Sequence, residues 1–304
     1  MKKVAVSIGD LNGIGIEIAL RAHKEISKKV EPIYIIDKSM LKQASKLLNI
    51  KIPKDFKTLS PRAKKFKIKP GKVSKKSGEY SFLSFVNAIT LAQNKEVDAI
   101  LTLPINKESW EKAGLSYVGH TDFLREFFNE KAIMMLGCPK MYVALFTEHM
   151  PLKDVAKEVK TKKLTKFLLN LQKSLNTNKQ IAVLGLNPHA GDNGVLGNEE
   201  SKITKAIAKA NKTLKQNIFV GPVVPDIAFT PNFRKNYKYF AAMYHDQGLA
   251  PLKALYFDES INVSLNLSIL RISVDHGTAF DIAYKGSKLK LNSYLNAIEY
   301  IIKG

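Results

Sequence analysis

Y-F-A-A-M-Y-H-D-Q-G, residues 239–248, joins a short apolar run to three polar side chains and a glycine. Residues 239–244 suit a buried strand, and they end directly in His245, Asp246 and Gln247. Polar groups placed where a buried strand gives way to a glycine are what a site at a sheet edge requires. Taken alone, His245 and Asp246 also fit a satisfied pair capping a core strand. Two further polar loops with a histidine, T-E-H-M-P-L (147–152) and N-P-H-A-G-D-N-G-V-L-G-N-E-E (187–200), favour a site.

Working outward, strands and helices alternate along the whole chain, the pattern of a layered α/β fold. A β-branched run at 4–8 is followed by G-D-L-N-G-I-G (9–15) and by apolar residues at helical spacing. Strand, glycine turn and helix is an anion-binding arrangement. The spacing is not the Rossmann fingerprint, and the glycines equally suit a tight βα turn. Strands are expected at 32–36, 97–101, 140–146 and 181–186, and helices at 40–48, 80–94, 122–128 and 164–175. Glu199 and Glu200 open another helix, for which Asn198 is a candidate N-cap. Asn292 or Ser293 caps a last one at 294–302. Residues 51–80 are lysine-rich without a clear period and read as loops with an edge hairpin. Residues 223–229, with Asp226 among them, form one more apolar segment. No internal repeat or flexible linker is visible, so two domains would share a cleft.

Composition narrows the class. The chain has 304 residues, 45% hydrophobic and 25% charged, enough for one large or two medium domains. No apolar run approaches the length of a membrane span. The start, M-K-K-V-A-V, reads as a first strand rather than a secretory signal. Cys138 is the sole cysteine, which excludes a disulfide framework and a cysteine metal cluster. A cytoplasmic address is expected. The net charge is +21, yet only five of the 48 basic residues are arginine. The lysines are scattered, and no zinc finger, RNA-binding signature or Arg-rich arm accompanies them, so they read mainly as a solvated surface with no nucleic-acid or membrane partner. An RNA-binding protein is the non-enzyme alternative.

Of the six histidines, His23 lies inside the first helical pattern without polar company. His149, His189 and His245 each follow a separate expected strand. Three imidazoles converging from parallel strand ends would make a divalent-metal site with open positions for substrate, though no close H-x-x-x-H pair supports it. Asp226 and Asp246 are candidates to orient them. Lys107 sits just past a strand's carboxyl end, where ligands bind in open α/β sheets.

The segments G-D-L-N-G-I-G, P-I-N-K, G-H-T-D-F-L, T-E-H-M-P-L, G-L-N-P-H-A-G-D, Y-H-D-Q-G-L-A-P-L-K and D-H-G-T-A-F-D-I-A occur in that order between Gly9 and Ala283. Together they resemble the 4-hydroxythreonine-4-phosphate dehydrogenase family, within the isocitrate and isopropylmalate dehydrogenase-like group. The resemblance implies a non-Rossmann fold of two α/β/α layered domains, residues 1–118 with 268–304, and 119–267 with the metal ligands and dimer interface. It implies His149, His189 and His245 as metal ligands, and His120, Thr121, Lys253, Asn262 and Arg271 as substrate contacts. Lys and Arg suit a phosphate-bearing substrate. Asn187, Asp275, Gly277 and Thr278 would touch the dinucleotide. Lys107 is a candidate for the acid–base group, with simple substrate binding as its alternative. The implied reaction is NAD- or NADP-dependent oxidation of 4-phosphooxy-L-threonine at C3, followed by decarboxylation to 3-amino-1-hydroxyacetone 1-phosphate. It needs one divalent ion (Zn, Mg or Co) per site, in a homodimer whose sites lie at the subunit interface. A dehydrogenase of another phosphorylated hydroxyacid, such as a phosphotetronate, shares much of the pattern. Two positions depart from it: Leu11-Asn12 replaces the usual Pro-Ala, and Tyr284 a common glycine.

Overall fold

A computed structural model describes residues 1–303, and the chain divides into two compact units. The first comprises Met1–Glu130, Ile261–Val263 and the segment from Leu267 onward; the second comprises Lys131–Ser260 and Ser264–Asn266. The division falls after Glu130, so His120 and Thr121 belong with the first unit, not with residues 119–267 as the resemblance implied. The reason is apolar: Phe123 and Leu124 pack into a core with Phe85, Trp110 and Ile100.

The first unit opens with β1 (Lys3–Ser7), α1 (Gly15–Ile26), β2 (Glu31–Ile35), α2 (Lys38–Leu48) and β3 (Thr58–Leu59). It continues with α3 (Lys75–Gln93), β4 (Ala99–Thr102), α4 (Lys107–Lys112) and α5 (His120–Phe128). The second unit holds β5 (Ile133–Cys138), β6 (Met141–Leu145), α6 (Leu152–Glu158), α7 (Thr161–Leu175) and β7 (Ile181–Leu184). A 3-10 segment (Pro188–Gly194), α8 (Glu199–Leu214), β8 (Phe219–Val223), α9 (Pro225–Ala228), α10 (Pro231–Asn236), β9 (Tyr239–Ala242) and α11 (His245–Tyr256) follow. The last elements are β10 (Ile261–Leu265), whose residues divide between the units, then β11 (Arg271–Val274) and α12 (Asn292–Lys303) in the first.

In the first unit the strand order is β3-β2-β1-β4-β11, all parallel. In the second it is β5-β6-β9-β7-β8, antiparallel only between β5 and β6. Parallel strands covered on both faces read as unbroken apolar runs, as in β7, where all four residues are buried. The helices bury one stripe each: Leu164, Phe167, Leu168 and Leu171 in α7, and Ile203, Ala206, Ile207 and Ala210 in α8. Gly248 lets α11 close onto the sheet, since a Cβ there would lie 2.4 Å from Val143 Cγ1 and 3.0 Å from Ala242 Cβ.

Several expectations are corrected. The edge hairpin expected within 51–80 is a two-residue strand parallel to β2, and α3 already begins at Lys75. The apolar segment 223–229 is the end of β8 followed by α9, because Pro225 at a first helical position favours a turn of helix. Asn198 precedes α8 without a side-chain cap. His23 has polar company: its Nδ1 lies 2.9 Å from the Tyr34 hydroxyl and its Nε2 3.2 Å from Asp55.

Candidate active site

Because β6, β9 and β7 are parallel neighbours in near-level register, their carboxyl ends share one edge of the second unit's sheet. Leu145 stands opposite Ala242, and Val183 opposite Ala241. The three chains leaving this edge carry His149, His245 and His189. This is where α/β sheets present their chemistry, since the polar loop groups are free of the ladder there.

Two of the three imidazoles meet. The rings of His149 and His245 have centroids 5.6 Å apart and an interplanar angle of 41°. Nδ1 of His245 lies 2.7 Å from Asp246 Oδ1. That contact fixes the ring and leaves Nε2 for another partner, the arrangement of a metal-ligating histidine with a carboxylate behind it. His189 sits in the 3-10 segment. Residues 189–193 all have positive φ, 52°, 51°, 80°, 41° and 54°. Such a backbone persists only where its surroundings over-determine it. The Glu200 carboxylate supplies part of that, accepting the N–H groups of Leu186 and Asn187 at 2.8 Å each. Among the described residues no group of three or more His, Cys, Asp or Glu side chains is placed to hold a metal ion. One chain therefore offers a pair of imidazoles, His149 exposed and His245 half-buried, and, separately, an exposed third. Asp226 lies on α9, which packs against the 3-10 segment that carries His189.

Asn187 is largely committed. Its Nδ2 donates to Glu199 Oε2 and Glu200 Oε2 at 2.9 Å each, leaving the carbonyl oxygen for any ligand. The Lys253 ammonium lies 5.4 Å from the centroid of the Phe257 ring.

In the first unit, β4 and β11 run side by side and bring Thr102 to Arg271. The Thr102 hydroxyl accepts from Arg271 Nε at 3.2 Å and from Nη2 at 2.7 Å. Arg271 is buried, and burial pushes its pKa down to about 9, so the guanidinium keeps its charge at neutral pH. His120 is buried at the start of α5, its ring edge-on to Phe85 and Trp110 at 4.5 Å and 5.5 Å. Burial, with the Arg271 charge second, holds its pKa well below the usual histidine range, so the ring is neutral. Among the described residues its Nε2 has no hydrogen-bond partner, and neither has Asn262 Oδ1. Buried polar atoms without partners are rare in folded proteins and mark places where a ligand completes the bonding. Both fall on residues for which the resemblance implies substrate contact. Thr121 is half-buried, and Lys107 is exposed at the first turn of α4.

The glycine loop and the 275–284 segment are tied together. Ile14 N–H donates to Thr278 O at 3.0 Å, and a Cβ on Gly13 would lie 2.8 Å from that same oxygen. Tyr284, at φ 61°, donates its hydroxyl to Leu11 O at 2.7 Å. The two sequence departures thus contact one another: the left-handed conformation at 284 explains why glycine suits it, and the tyrosine adds a strut to the loop. Asn12 is fastened in turn, its Oδ1 accepting from Lys69 N at 2.9 Å and its Nδ2 donating to Lys72 O at 2.7 Å. A Cβ on Gly277 would meet nothing within 4 Å, so that backbone is open to a ligand. Asp275 N–H donates to Ser293 Oγ at 3.0 Å. Asp10, which sequence reasoning left unassigned, is fully buried. Burial pushes its pKa up to about 6 against the lowering effects of the Asn12 N–H and the Ser77 and Ser109 hydroxyls. A single aspartate in a glycine loop carries no signal of such burial.

Residues 28–301 match the family described as pyridoxal phosphate biosynthetic protein PdxA. The chain is 62% identical over 300 residues to the 4-hydroxythreonine-4-phosphate dehydrogenase of Sulfurimonas denitrificans, covering 99% of this chain and 97% of the relative. The crystal structure of a 4-hydroxythreonine-4-phosphate dehydrogenase from Burkholderia phymatum superposes with TM-score 0.83 at 28% identity, covering 100% of this chain and 98% of that one. An isocitrate dehydrogenase from Methylococcus capsulatus shares the fold alone, with TM-score 0.51 at 12% identity over 100% of this chain and 85% of that one. The chain belongs to the PdxA family.

Proposed function

We propose that this member of the PdxA family is the 4-hydroxythreonine-4-phosphate dehydrogenase of pyridoxal phosphate biosynthesis, acting in the cytoplasm as a homodimer. It oxidises 4-phosphooxy-L-threonine at C3 with NAD or NADP, and the keto acid then loses CO2 to give 3-amino-1-hydroxyacetone 1-phosphate. The observation that carries the divalent-ion part of this reading is the His149–His245 pair, 5.6 Å apart, with Asp246 behind it.

The donors fit such an ion: two adjacent imidazoles, one of them oriented by a carboxylate, at the carboxyl edge of parallel strands. Because His189 does not join them within the chain, a second copy supplies it, and each site draws on two subunits. A bound divalent ion supplies Lewis-acid polarisation of the oxygen at C3. The nicotinamide of the dinucleotide supplies the hydride acceptor, and the opened backbone at Gly277 with the buried Thr278 supports the 275–283 segment as its seat. Arg271, held by Thr102, and Lys253 bind anionic oxygens of the substrate. His120 Nε2 and Asn262 Oδ1 gain the partners they lack when the substrate's polar groups enter. A neutral His120 can donate or accept at Nε2 without adding charge next to Arg271. Lys107 takes and returns the proton at the reacting oxygen.

The test is absorbance of the reduced nicotinamide with 4-phosphooxy-L-threonine, before and after EDTA, and after adding back zinc, magnesium or cobalt. Metal-dependent turnover is expected. Turnover indifferent to EDTA would overturn the metal assignment, and no turnover with any of the three ions and either dinucleotide would overturn the substrate assignment.

A further inference from the structure

The regular ladders of the second unit's sheet end at Leu145, Ala242 and Leu184, just before the three histidine-bearing loops. Two buried side chains add to the backbone bonds there, and both converge on one residue, Met243. From β6's side, Thr147 donates to Met243 O through its hydroxyl at 2.6 Å and its N–H at 3.2 Å. From α11, Gln247 Oε1 accepts the Met243 N–H at 2.7 Å. The same amide reaches on to β7's side, where Nε2 donates to Gly185 O at 2.6 Å. Thr147 and Gln247 are 7% and 9% exposed, so water does not compete for these bonds. His149 follows Thr147 by two residues, His245 follows Met243 by two, and His189 follows Gly185 by four.

We propose that Thr147 and Gln247 are positioning residues for the metal-binding imidazoles, Thr147 fixing the backbone before His149 against that before His245, and Gln247 fixing the backbone before His245 against β7, which leads to the His189 that this chain lends to the other copy's site. The inference rests on the metal reading given above. Neither side chain touches the ion. Each locks the backbone two to four residues from a ligand, and a ligand displaced by a fraction of an ångström binds a small cation less well. The chemistry also suits the residue types. A carboxamide accepts from Met243 N–H and donates to Gly185 O with one group, and the hydroxyl at 147 adds a second donor to Met243 O beside the Thr147 N–H.

The probe is cobalt(II) binding to the full-length protein, read by competition with a chromophoric chelator and by the visible d–d spectrum. Gln247→Glu keeps the shape and the acceptor but loses the donor to Gly185 O, and it should weaken cobalt binding about tenfold, the size typical of groups that orient metal ligands. Thr147→Val should do the same, and Thr147→Ser should restore wild-type affinity because it keeps the hydroxyl. Ser84→Ala, which removes an equally buried hydroxyl bonded to Ile35 O and Ile8 N–H in the first unit, should lower the melting temperature and leave cobalt affinity unchanged. Gln247→Glu and Thr147→Val proteins that bind cobalt with wild-type affinity and spectrum would overturn the proposal. Because the Thr147 pair needs no Gln247 variant, poor folding of one position leaves the other decisive. Failure of the underlying metal reading looks different: His245→Ala would then bind cobalt as tightly as wild type.

Discussion

Replacing Thr102 by valine keeps the shape of a fully buried side chain and removes one oxygen. That oxygen is the acceptor for both Nε–H and Nη2–H of Arg271. A hydrogen bond to a charged group contributes about 1.5–3 kcal/mol, and stripping both from a buried cation would cost more than one such bond. Arg271 has further partners that remain, so the lower part of that range applies, about 2 kcal/mol in a urea denaturation series. The guanidinium also loses the contact that aims it. Misaiming a fork that grips two anionic oxygens should raise KM for 4-phosphooxy-L-threonine about tenfold, equivalent to roughly 1.4 kcal/mol. The kcat should change less than about twofold, because the interaction is made in ground and transition states alike. Thr102→Ser keeps the oxygen and should hold KM near wild type while losing about 1 kcal/mol for the missing methyl. A Thr102→Val protein with wild-type stability and KM would refute both the bond's role and the assignment of Arg271 to substrate.

Asp10 gives a pH prediction. Its folded pKa is raised to about 6 by burial, so the fold favours the protonated form. The contribution to stability is fully present below the unfolded value near 4 and is lost as pH rises through about 6. Asp10→Asn should therefore flatten this part of the stability profile and raise the urea midpoint at pH 7.5 relative to wild type, while leaving it little changed at pH 4.5. Tyr284→Phe removes the 2.7 Å bond to Leu11 O, about 1 kcal/mol, and should raise KM for the dinucleotide roughly fivefold without moving KM for the phosphorylated substrate. Equal changes in both constants would detach Tyr284 from the cofactor loop.

Much of the architecture was legible because it is written in local period and punctuation. The unbroken apolar runs of β7 and β9, the stripes of α7 and α8, and the His-containing loops after β6, β7 and β9 all declare themselves within ten residues. What was missed depends on partners far along the chain. β5 was not expected, although its six residues are all buried, because I-M-M-L-G-C has no alternation and few β-branched residues. Asn12 is satisfied by Lys69 and Lys72, nearly sixty positions away, and nothing near Asn12 announces it. His23 looked apolar in its surroundings because Tyr34 and Asp55 reach it from other elements. In the candidate site, the histidine-bearing loops were legible as polar breaks after apolar runs, but that two of the imidazoles meet depends on the parallel register of β6 and β9, which no local stretch declares.

The most direct measurement of the proposed two-copy site is subunit complementation. Copies carrying His189→Ala and copies carrying His245→Ala, each inactive alone, are co-expressed and assayed together. A mixed dimer has one site with an intact pair from one copy and an intact His189 from the other, so random pairing should restore about a quarter of wild-type activity. Activity that stays at the level of the separate variants would contradict the account, since it would place all three imidazoles around one ion within a single chain.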